Sequence, residues 1–321
     1  MIYETFLTTI HSLVQEKLEG RAEVSLRRVL KNNGLLLDGL SISSPSSAFS
    51  PTVYLNSYYN EEEEGLSLPV IAEQILLLYE EENGLPSELA QQLKDFEKIR
   101  DRIAYKLINA KDNAVLLSEV PHFRYLDLAV VFYIIVSESD DGQMTALIHN
   151  EHLGMWNVTR EDLSDFAEKN MATLLPCRIT PIEDAILAID EEELPGGAYE
   201  LSGEETDIFP VNLYVLSNER GINGAACLLY RDVLKNFAEQ VGDDLVILPS
   251  SIHEVLLAPS KKALSYDELN EMVYYINRSE VPMEDRLSDH IYYYSREQNC
   301  ICPPAPVSSS SSGPGGTENP Q

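Results

Sequence analysis

The longest apolar run in the chain, LAVVFYIIV at residues 128–136, constrains the fold more than any other segment. It is far shorter than the roughly 20 apolar residues that a membrane-spanning helix needs. A strand with this sequence is apolar on both faces, and so is RIAYKLIN at residues 102–109. Both segments therefore predict central strands that are buried on both sides.

The segments around these two strands predict short antiparallel connections and separate helices. Asn33 and Gly34 form the strongest short hairpin signal, and DDG at 140–142 returns the chain after the central strand. Helices are indicated elsewhere by apolar residues at helical spacing. We therefore predict an α+β fold with two antiparallel-rich mixed sheets packed with helices.

An acidic stretch suggests where the chain divides. Residues 190–207 contain eight acids, no base, and a Pro-Gly-Gly sequence, which is typical of a linker. We predict an N-terminal α+β domain at 1–189, an acidic linker at 190–207 and a C-terminal α+β domain at 208–299. The Pro-, Ser- and Gly-rich residues 300–321 predict a disordered tail.

The net charge of −30, from 53 acidic and 23 basic residues, restricts the class of partner. Binding of nucleic acid through its phosphates requires the opposite sign, so we expect no nucleic-acid partner. The same charge leaves open a protein that imitates DNA and occupies a basic partner. Clusters of acids are otherwise typical of solvated faces that keep a protein soluble.

Cysteine usage and the N-terminal residues bear on the compartment. Cys177 and Cys227 lie in apolar segments, whereas Cys300 and Cys302 form a C-x-C pair with no second Cys/His pair nearby. We interpret this pair as a strand end, with metal or redox chemistry as the alternative. The first 20 residues lack a basic leader and a cleavage site. We predict a reducing, cytoplasmic setting, no membrane contact, no metal and no cofactor.

The segment ILPSSIHEVLLAP at 247–259 places Ser250, Ser251, His253 and Glu254 close together in sequence. A nucleophile, base and acid would have to converge, yet successive side chains of a strand point to opposite faces. The segment also lacks the G-x-S-x-G sequence that exposes a nucleophilic serine. We predict a hairpin with strands at 245–248 and 252–258 and a polar tip, and we name no catalytic residue.

The segment HNEHLGMW at 149–156 supplies Asn150 and His152 as candidate functional residues. His149 and His152 could share one helical face and bind Zn²⁺, but the H-E-x-x-H spacing and a third ligand are absent. Trp156 is predicted to anchor the following helix on the core. That helix is predicted to begin at Thr159 with a capping box completed by Asp162.

Two further segments contain candidate residues. His122 and Arg124 precede the central strand, and Arg124 could pair with Asp127 in a structural role or bind a partner. GINGAACLLY at 221–230 has neither a P-loop ending nor G-x-G-x-x-G. We interpret its glycines as a hairpin tip followed by a strand at 225–230.

Several segments together resemble a known family. VYLNSYYNEEEEG, YKLIN, VPHFRYLDLAVVFYIIV, NEHLGMW, YVLSNERGINGAACLLY and ILPSSIHEVLL are similar to domain-of-unknown-function family 5688 of uncharacterised bacterial proteins. The second half is more distantly similar, in its order of elements, to the YtpQ-type family. The resemblance spans about residues 1–300 and implies a cytoplasmic, two-part α+β scaffold. It assigns no activity, cofactor or substrate.

Three functional hypotheses follow. The first is a non-catalytic protein-interaction module that binds another protein through an edge or groove between its halves. The second is an unrecognised enzyme with a site near Ser251, His253 and Glu254, joined by His152 or Arg124. The third is the acidic DNA mimic.

Overall fold

The computed structural model describes residues 1–43, 52–63, 65–82, 92–139, 142–193, 213–249, 251–262 and 266–302. Ser250, most of the predicted linker and most of the predicted tail lie outside these ranges.

The secondary structure is mixed along the whole described chain. The α-helices are α1 (Tyr3–Lys17), α2 (Leu55–Glu63), α3 (Leu68–Glu82), α4 (Phe96–Ile99), α5 (Ala114–Glu119), α6 (Asn150–Trp156), α7 (Arg160–Leu174), α8 (Ile182–Glu193), α9 (Val233–Val241) and α10 (Tyr266–Ser279). The strands are β1 (Glu23–Leu30), β2 (Leu36–Ser43), β3 (Thr52–Tyr54), β4 (Ile103–Asn109), β5 (His122–Tyr125), β6 (Leu128–Ser139), β7 (Gly142–Leu147), β8 (Cys177–Pro181), β9 (Tyr214–Asn218), β10 (Leu245–Leu248), β11 (Val255–Pro259), β12 (Tyr292–Ser295) and β13 (Cys300–Cys302). Short 3-10 helices occupy Asn32–Gly34, Arg100–Arg102, Gly224–Leu229, Ser260–Lys262 and Met283–Asp285.

The strands of the described ranges form three sheets. Their orders are β1-β2-β3, β4-β6-β5 with β7 also on β6, and β13-β12-β10-β11-β9-β8. The pairings among described strands are antiparallel. The predicted α+β class is confirmed, with three sheets in place of the two expected.

The sheet that was not expected is β1-β2-β3, the sheet of the N-terminal hairpin, which has a hydrophobic core of its own. β1 and β2 pair from Glu23 with Ser43 to Leu30 with Leu36, so the predicted turn at Asn33 and Gly34 is confirmed. Helices α1 and α3 cover this sheet with apolar side chains at helical spacing. The fully buried residues of the core between the helices and the sheet include Phe6, Ile10, Val14, Leu40, Ile42, Ile71 and Ile75.

Both predicted strands are present and largely buried, but only β6 is central, because among the described strands β4 pairs with β6 alone and lies at the end of the sheet. β6 lies between β4 and β5, and its residues Leu128–Val136 are all buried. Phe132 faces the main core, whereas Val131 faces the smaller cluster that contains Leu117 and Val120. Burial on both faces explains the continuous apolar run.

Strand pairing crosses the predicted linker. β8 precedes residues 190–207 and β9 follows them, yet the two strands pair from Cys177 with Asn218 to Pro181 with Tyr214. One core also joins Phe132 of the central sheet to Phe237 and Leu257. Residues 190–193 are the last turn of α8, and 300–302 form β13. The two sides of the predicted linker therefore share a sheet and a core.

Within the described ranges, no helix combines the length and the apolar character that crossing a bilayer requires.

Candidate functional site

The predicted hairpin at 247–259 is present, but its polar residues lie in the connection. β10 and β11 pair from Leu245 with Pro259 to Leu248 with Leu256. The second strand begins at Val255, not at residue 252 as predicted, because the backbone before it pairs elsewhere. Ile252 donates its N–H to the Asp285 carbonyl at 2.7 Å and accepts from the Ala225 N–H at 3.1 Å. His253 and Glu254 are thus loop residues held between two other segments.

The imidazole of His253 has a defined partner on each nitrogen. Nδ1 accepts from the backbone N–H of Asn223 at 3.3 Å, and Nε2 lies 3.2 Å from Asp285 Oδ1. Because Nδ1 is an acceptor, the proton of the neutral ring is on Nε2, which donates to Asp285. No lone pair remains to remove a proton from a nucleophile. This arrangement fastens three segments together and does not form a general base.

The neighbouring residues do not complete a catalytic set. Ser251 is buried, and its Oγ accepts from the His253 backbone N–H at 2.9 Å instead of facing the imidazole. Glu254 makes no hydrogen bond or ion pair with the described residues, so the acid that pairs with His253 is Asp285. Ser250 lies outside the described ranges. The contact between Ser251 and His253 thus joins the Ser251 hydroxyl to the His253 backbone N–H and does not involve the imidazole.

A half-buried lysine lies near this pair. Burial lowers the pKa of Lys106 on β4, and Lys31 lowers it further, while Asp285 opposes the shift. Within the described part of the chain Lys106 makes no ion pair. Lysines with lowered pKa values act as nucleophiles in some enzymes. Here the lysine lies within electrostatic reach of Asp285, and both nitrogens of the His253 ring that pairs with Asp285 already have hydrogen-bond partners.

The loop at 221–230 is held by close packing at Gly224. A Cβ at this position would lie 2.1 Å from Ser217 Oγ and 2.4 Å from the His253 carbonyl oxygen. Residues Gly224–Leu229 form a 3-10 helix, so the strand predicted at 225–230 is wrong. Glycine serves here to let two backbones approach, and no phosphate-binding loop is formed.

The candidate residues at 149–156 cap a helix. His149 precedes α6, and its backbone N–H donates to His152 Nδ1 at 2.9 Å. The His152 ring stacks on Trp156, and burial is the main cause that lowers the pKa of His152. Asn150 Nδ2 donates to the Ser118 carbonyl at 3.1 Å. These contacts give Asn150 and His152 structural partners.

Trp156 and the next helix agree with the predictions. Trp156 is buried in the main core, and Thr159 and Asp162 form the expected reciprocal capping box of α7.

The segment before β6 differs from the expected ion pair. Asp127 accepts hydrogen bonds from Ser288 Oγ at 2.6 Å and Tyr292 OH at 2.5 Å, so it does not pair with Arg124. The Arg124 side chain is exposed and has no ion-pair partner among the described residues. His122 Nδ1 lies 3.0 Å from the Val120 carbonyl. The structure does not bring His122 and Arg124 to the His253 pair.

The tip of the N-terminal hairpin docks on the C-terminal segment. Asn33, which is buried at φ 56°, donates from Nδ2 to the carbonyls of Met283 (2.8 Å) and Arg286 (2.6 Å). Its Oδ1 accepts from Asn113 Nδ2 at 2.8 Å. A cavity of about 220 Å³ lies beside this junction.

Helix α10 presents apolar side chains to solvent as well as to the core. Leu269 and Val273 pack on the β10–β12 sheet face. Beside these two residues on the same helix, Met272, Tyr275 and Ile276 are 41 %, 72 % and 37 % exposed. We call these three residues the α10 face.

The described residues contain no group of three or more His, Cys, Asp or Glu side chains arranged to hold a metal ion. All four cysteines, including Cys300 and Cys302, are free thiols.

Comparison with known proteins places the chain in a family. The sequence model of a family described as "Family of unknown function (DUF5688)" matches residues 3–296. The chain belongs to this family. No curated protein and no solved structure matches it significantly. Membership in the DUF5688 family carries no activity, so the residues of this member are judged by their geometry.

Sequence reasoning missed three features of this DUF5688 protein. Asp285 stands 32 positions from His253 in an unremarkable acidic turn, and no local pattern connects them. The contacts of Asn33 likewise join segments that are about 250 residues apart. The α10 face did have a signal, because Met272 and Ile276 each lie three positions after a core residue, Leu269 and Val273, so the apolar stripe of the helix is wider than the part that the core covers.

Proposed function

We propose that this DUF5688 protein is a non-catalytic protein-interaction module of the bacterial cytoplasm. Its partner would be a protein that presents a basic amphipathic segment, and the binding surface would be the α10 face. The observation that carries this proposal is the exposure of Met272, Tyr275 and Ile276 beside Leu269 and Val273, the residues that pack the same helix on the core.

The position of the apolar residues supports a docking surface. Val273 is 2 % exposed and holds the helix on its sheet, whereas Tyr275, two positions later, is 72 % exposed. Met272, Tyr275 and Ile276 follow the i, i+3, i+4 spacing with which helices contact a partner. Tyrosine and methionine are enriched at protein interfaces, where they bury large areas.

The charges around this surface support a basic partner. Asp267, Glu271 and Glu280 are exposed on or next to α10. The one basic residue of the helix, Arg278, is paired with Asp289 at 3.0 Å and lies over the Tyr274 ring. Apolar side chains surrounded by carboxylates complement a segment that combines apolar residues with lysine or arginine.

Two further observations support the assignment. The free thiols of all four cysteines are consistent with a reducing compartment. Both nitrogens of His253 are occupied, which leaves the Ser251, His253 and Glu254 segment without a general base. An interaction role therefore requires fewer assumptions than catalysis.

The test is a capture experiment with a matched control. A double variant, Met272→Ser with Tyr275→Ser, removes the centre of the α10 face without touching the core. Val115→Ser is the control, because Val115 is 65 % exposed on α5. We expect wild type and Val115→Ser to retain the same basic protein and the double variant to lose it. Photocrosslinking from position 275 then identifies the contacting segment.

The salt dependence and the identity of the captured protein decide the outcome. Retention should weaken as ionic strength rises, because exposed charge pairs are screened. Equal capture by wild type and the double variant contradicts the proposal. Crosslinking only to a second copy of the chain also contradicts it and indicates self-association.

A further inference from the structure

A polar cavity lies where three distant parts of the chain meet. It has a volume of about 220 Å³ and is lined by residues of the N-terminal hairpin tip, the end of β4 and the segment after α10. Pockets that bind drug-sized ligands have volumes of roughly 300–1,000 Å³, so this one is smaller. The cavity therefore suits a small polar molecule.

Several polar groups in the lining are already satisfied by the protein. Asn33 uses both its amide donors and its oxygen. Asn109 Nδ2 donates to the Leu287 carbonyl, and its Oδ1 accepts from the N–H groups of Lys111 and Asp112. Ser288 Oγ donates to Asp127 and accepts from the His290 N–H. These groups build the wall and have little capacity for a ligand.

Two charged groups in the lining, the Arg286 guanidinium and the Asp112 carboxylate, keep hydrogen-bonding capacity that no described residue uses, whereas a second pair does not. Arg278 and Asp289 neutralise each other at 3.0 Å. Arg286 donates from Nε to the Val281 carbonyl at 3.0 Å, while its Nη groups have no partner among the described residues. The carboxylate of Asp112 has none within the same ranges. The cavity thus offers one guanidinium edge and one carboxylate.

We propose that this cavity binds a free α-amino acid. Its carboxylate would pair with the Nη groups of Arg286, and its ammonium would pair with Asp112, as charge-assisted hydrogen bonds require. Met283, which is 45 % exposed at the cavity, offers apolar surface to the amino-acid side chain. The proposal does not depend on the interaction role of the α10 face.

The binding test uses leucine and two analogues that each lack one charge. Titration calorimetry compares L-leucine with 4-methylpentanoate, which lacks the ammonium, and with 3-methylbutylamine, which lacks the carboxylate. We expect leucine to bind about tenfold more tightly than either, since loss of one charge-assisted contact costs about that factor. Leucine should also raise the melting temperature, because ligand binding stabilises the folded state.

Variants identify the site. Arg286→Gln and Asp112→Asn should each weaken leucine binding about tenfold. Arg231→Gln removes an arginine whose side chain is 95 % exposed elsewhere, and it should bind leucine like wild type. Asp112 is exposed, so Asp112→Asn keeps the test valid if Arg286→Gln disturbs folding.

Three results would overturn the proposal. Binding of 4-methylpentanoate as tight as that of leucine indicates a simple anion site. Leucine binding that both variants retain places the ligand elsewhere. Absence of any calorimetric or thermal response up to about 10 mM leucine, a weak limit for a small ligand, excludes a specific amino-acid site.

Discussion

Asn33 and Asn113 exchange two hydrogen bonds across 80 positions of sequence. The Asn33 backbone N–H donates to Asn113 Oδ1, and Asn113 Nδ2 donates to Asn33 Oδ1, each at 2.8 Å. Both residues are buried, and Asn33 has the left-handed backbone that asparagine tolerates. This exchange, with the contacts from Asn33 to the C-terminal segment, fastens the N-terminal hairpin to the rest of the protein.

Replacement of Asn33 should therefore destabilise the protein although its backbone conformation is preserved. Asn33→Gly relieves the positive φ but leaves buried carbonyls and Asn113 without partners, which should cost about 2–4 kcal/mol. Urea denaturation measures the loss. Asn157→Gly is the control, because Asn157 is exposed at φ 54° and should change stability by less than about 0.5 kcal/mol. Equal changes in the free energy of unfolding for Asn33→Gly and Asn157→Gly would show that the hydrogen bonds of the Asn33 side chain add no stability.

Gly224 should not accept a side chain. Gly224→Ala places a Cβ against Ser217 Oγ, the His253 carbonyl and the Asn218 nitrogen, and such overpacking should cost about 3 kcal/mol. Gly154→Ala in α6 meets nothing within 4 Å and should stabilise by about 0.5–1 kcal/mol. Thermal melting distinguishes the two. A stable Gly224→Ala protein would mean that the segment at 251–254 can move away.

The His253–Asp285 contact should contribute modestly to stability. Asp285→Ala removes the acceptor of a partly exposed pair, so a loss of about 1 kcal/mol in the free energy of unfolding is expected. Asp101→Ala, where the carboxylate is 82 % exposed, should have almost no effect. If Asp285→Ala and Asp101→Ala lower the free energy of unfolding by the same amount, the His253–Asp285 contact contributes no net stability.

His152 should make the protein sensitive to acid. Its pKa in the folded state is lowered, so the unfolded chain takes up the proton first as pH falls below about 6.5. The stability that the neutral His152 ring contributes is thus fully present above that pH. It is lost as the pH falls through the lowered pKa of the folded state. Protonation also removes the Nδ1 acceptor that the His149 N–H uses.

The measurement compares urea stability at pH 7.5 and 5.5. His152→Gln keeps an acceptor at the third helical position, where glutamine completes capping boxes, and cannot titrate. We expect the loss of stability between pH 7.5 and pH 5.5 to be smaller in His152→Gln than in wild type. In His290→Gln, where the replaced side chain is exposed, this loss should equal that of wild type. An acid loss in His152→Gln as large as that of wild type would assign the sensitivity to other groups.

Local sequence patterns predicted elements that have a local signature. The turn at Asn33 and Gly34 and the cap at Thr159 depend on neighbours within a few residues, whereas β6 was recognised from its apolar run although the strands it pairs with lie elsewhere in the chain. The strand predicted at 225–230 failed because Gly224 packs directly on residues 217, 218 and 253, which local pattern cannot reveal. The same limit hid Asp285 as the partner of His253.

From its sequence alone this protein is an α+β chain with buried central strands, a strongly acidic surface and a place in the DUF5688 family. These properties follow from hydrophobic periodicity, charge and similarity, which are readable along the chain. Only the tertiary structure decided which side chains come together: His253 bonds Asp285, Asn33 bonds Asn113, and Arg286 and Asp112 line one cavity. Such contacts join residues tens to hundreds of positions apart, and their energies depend on distance and burial in three dimensions.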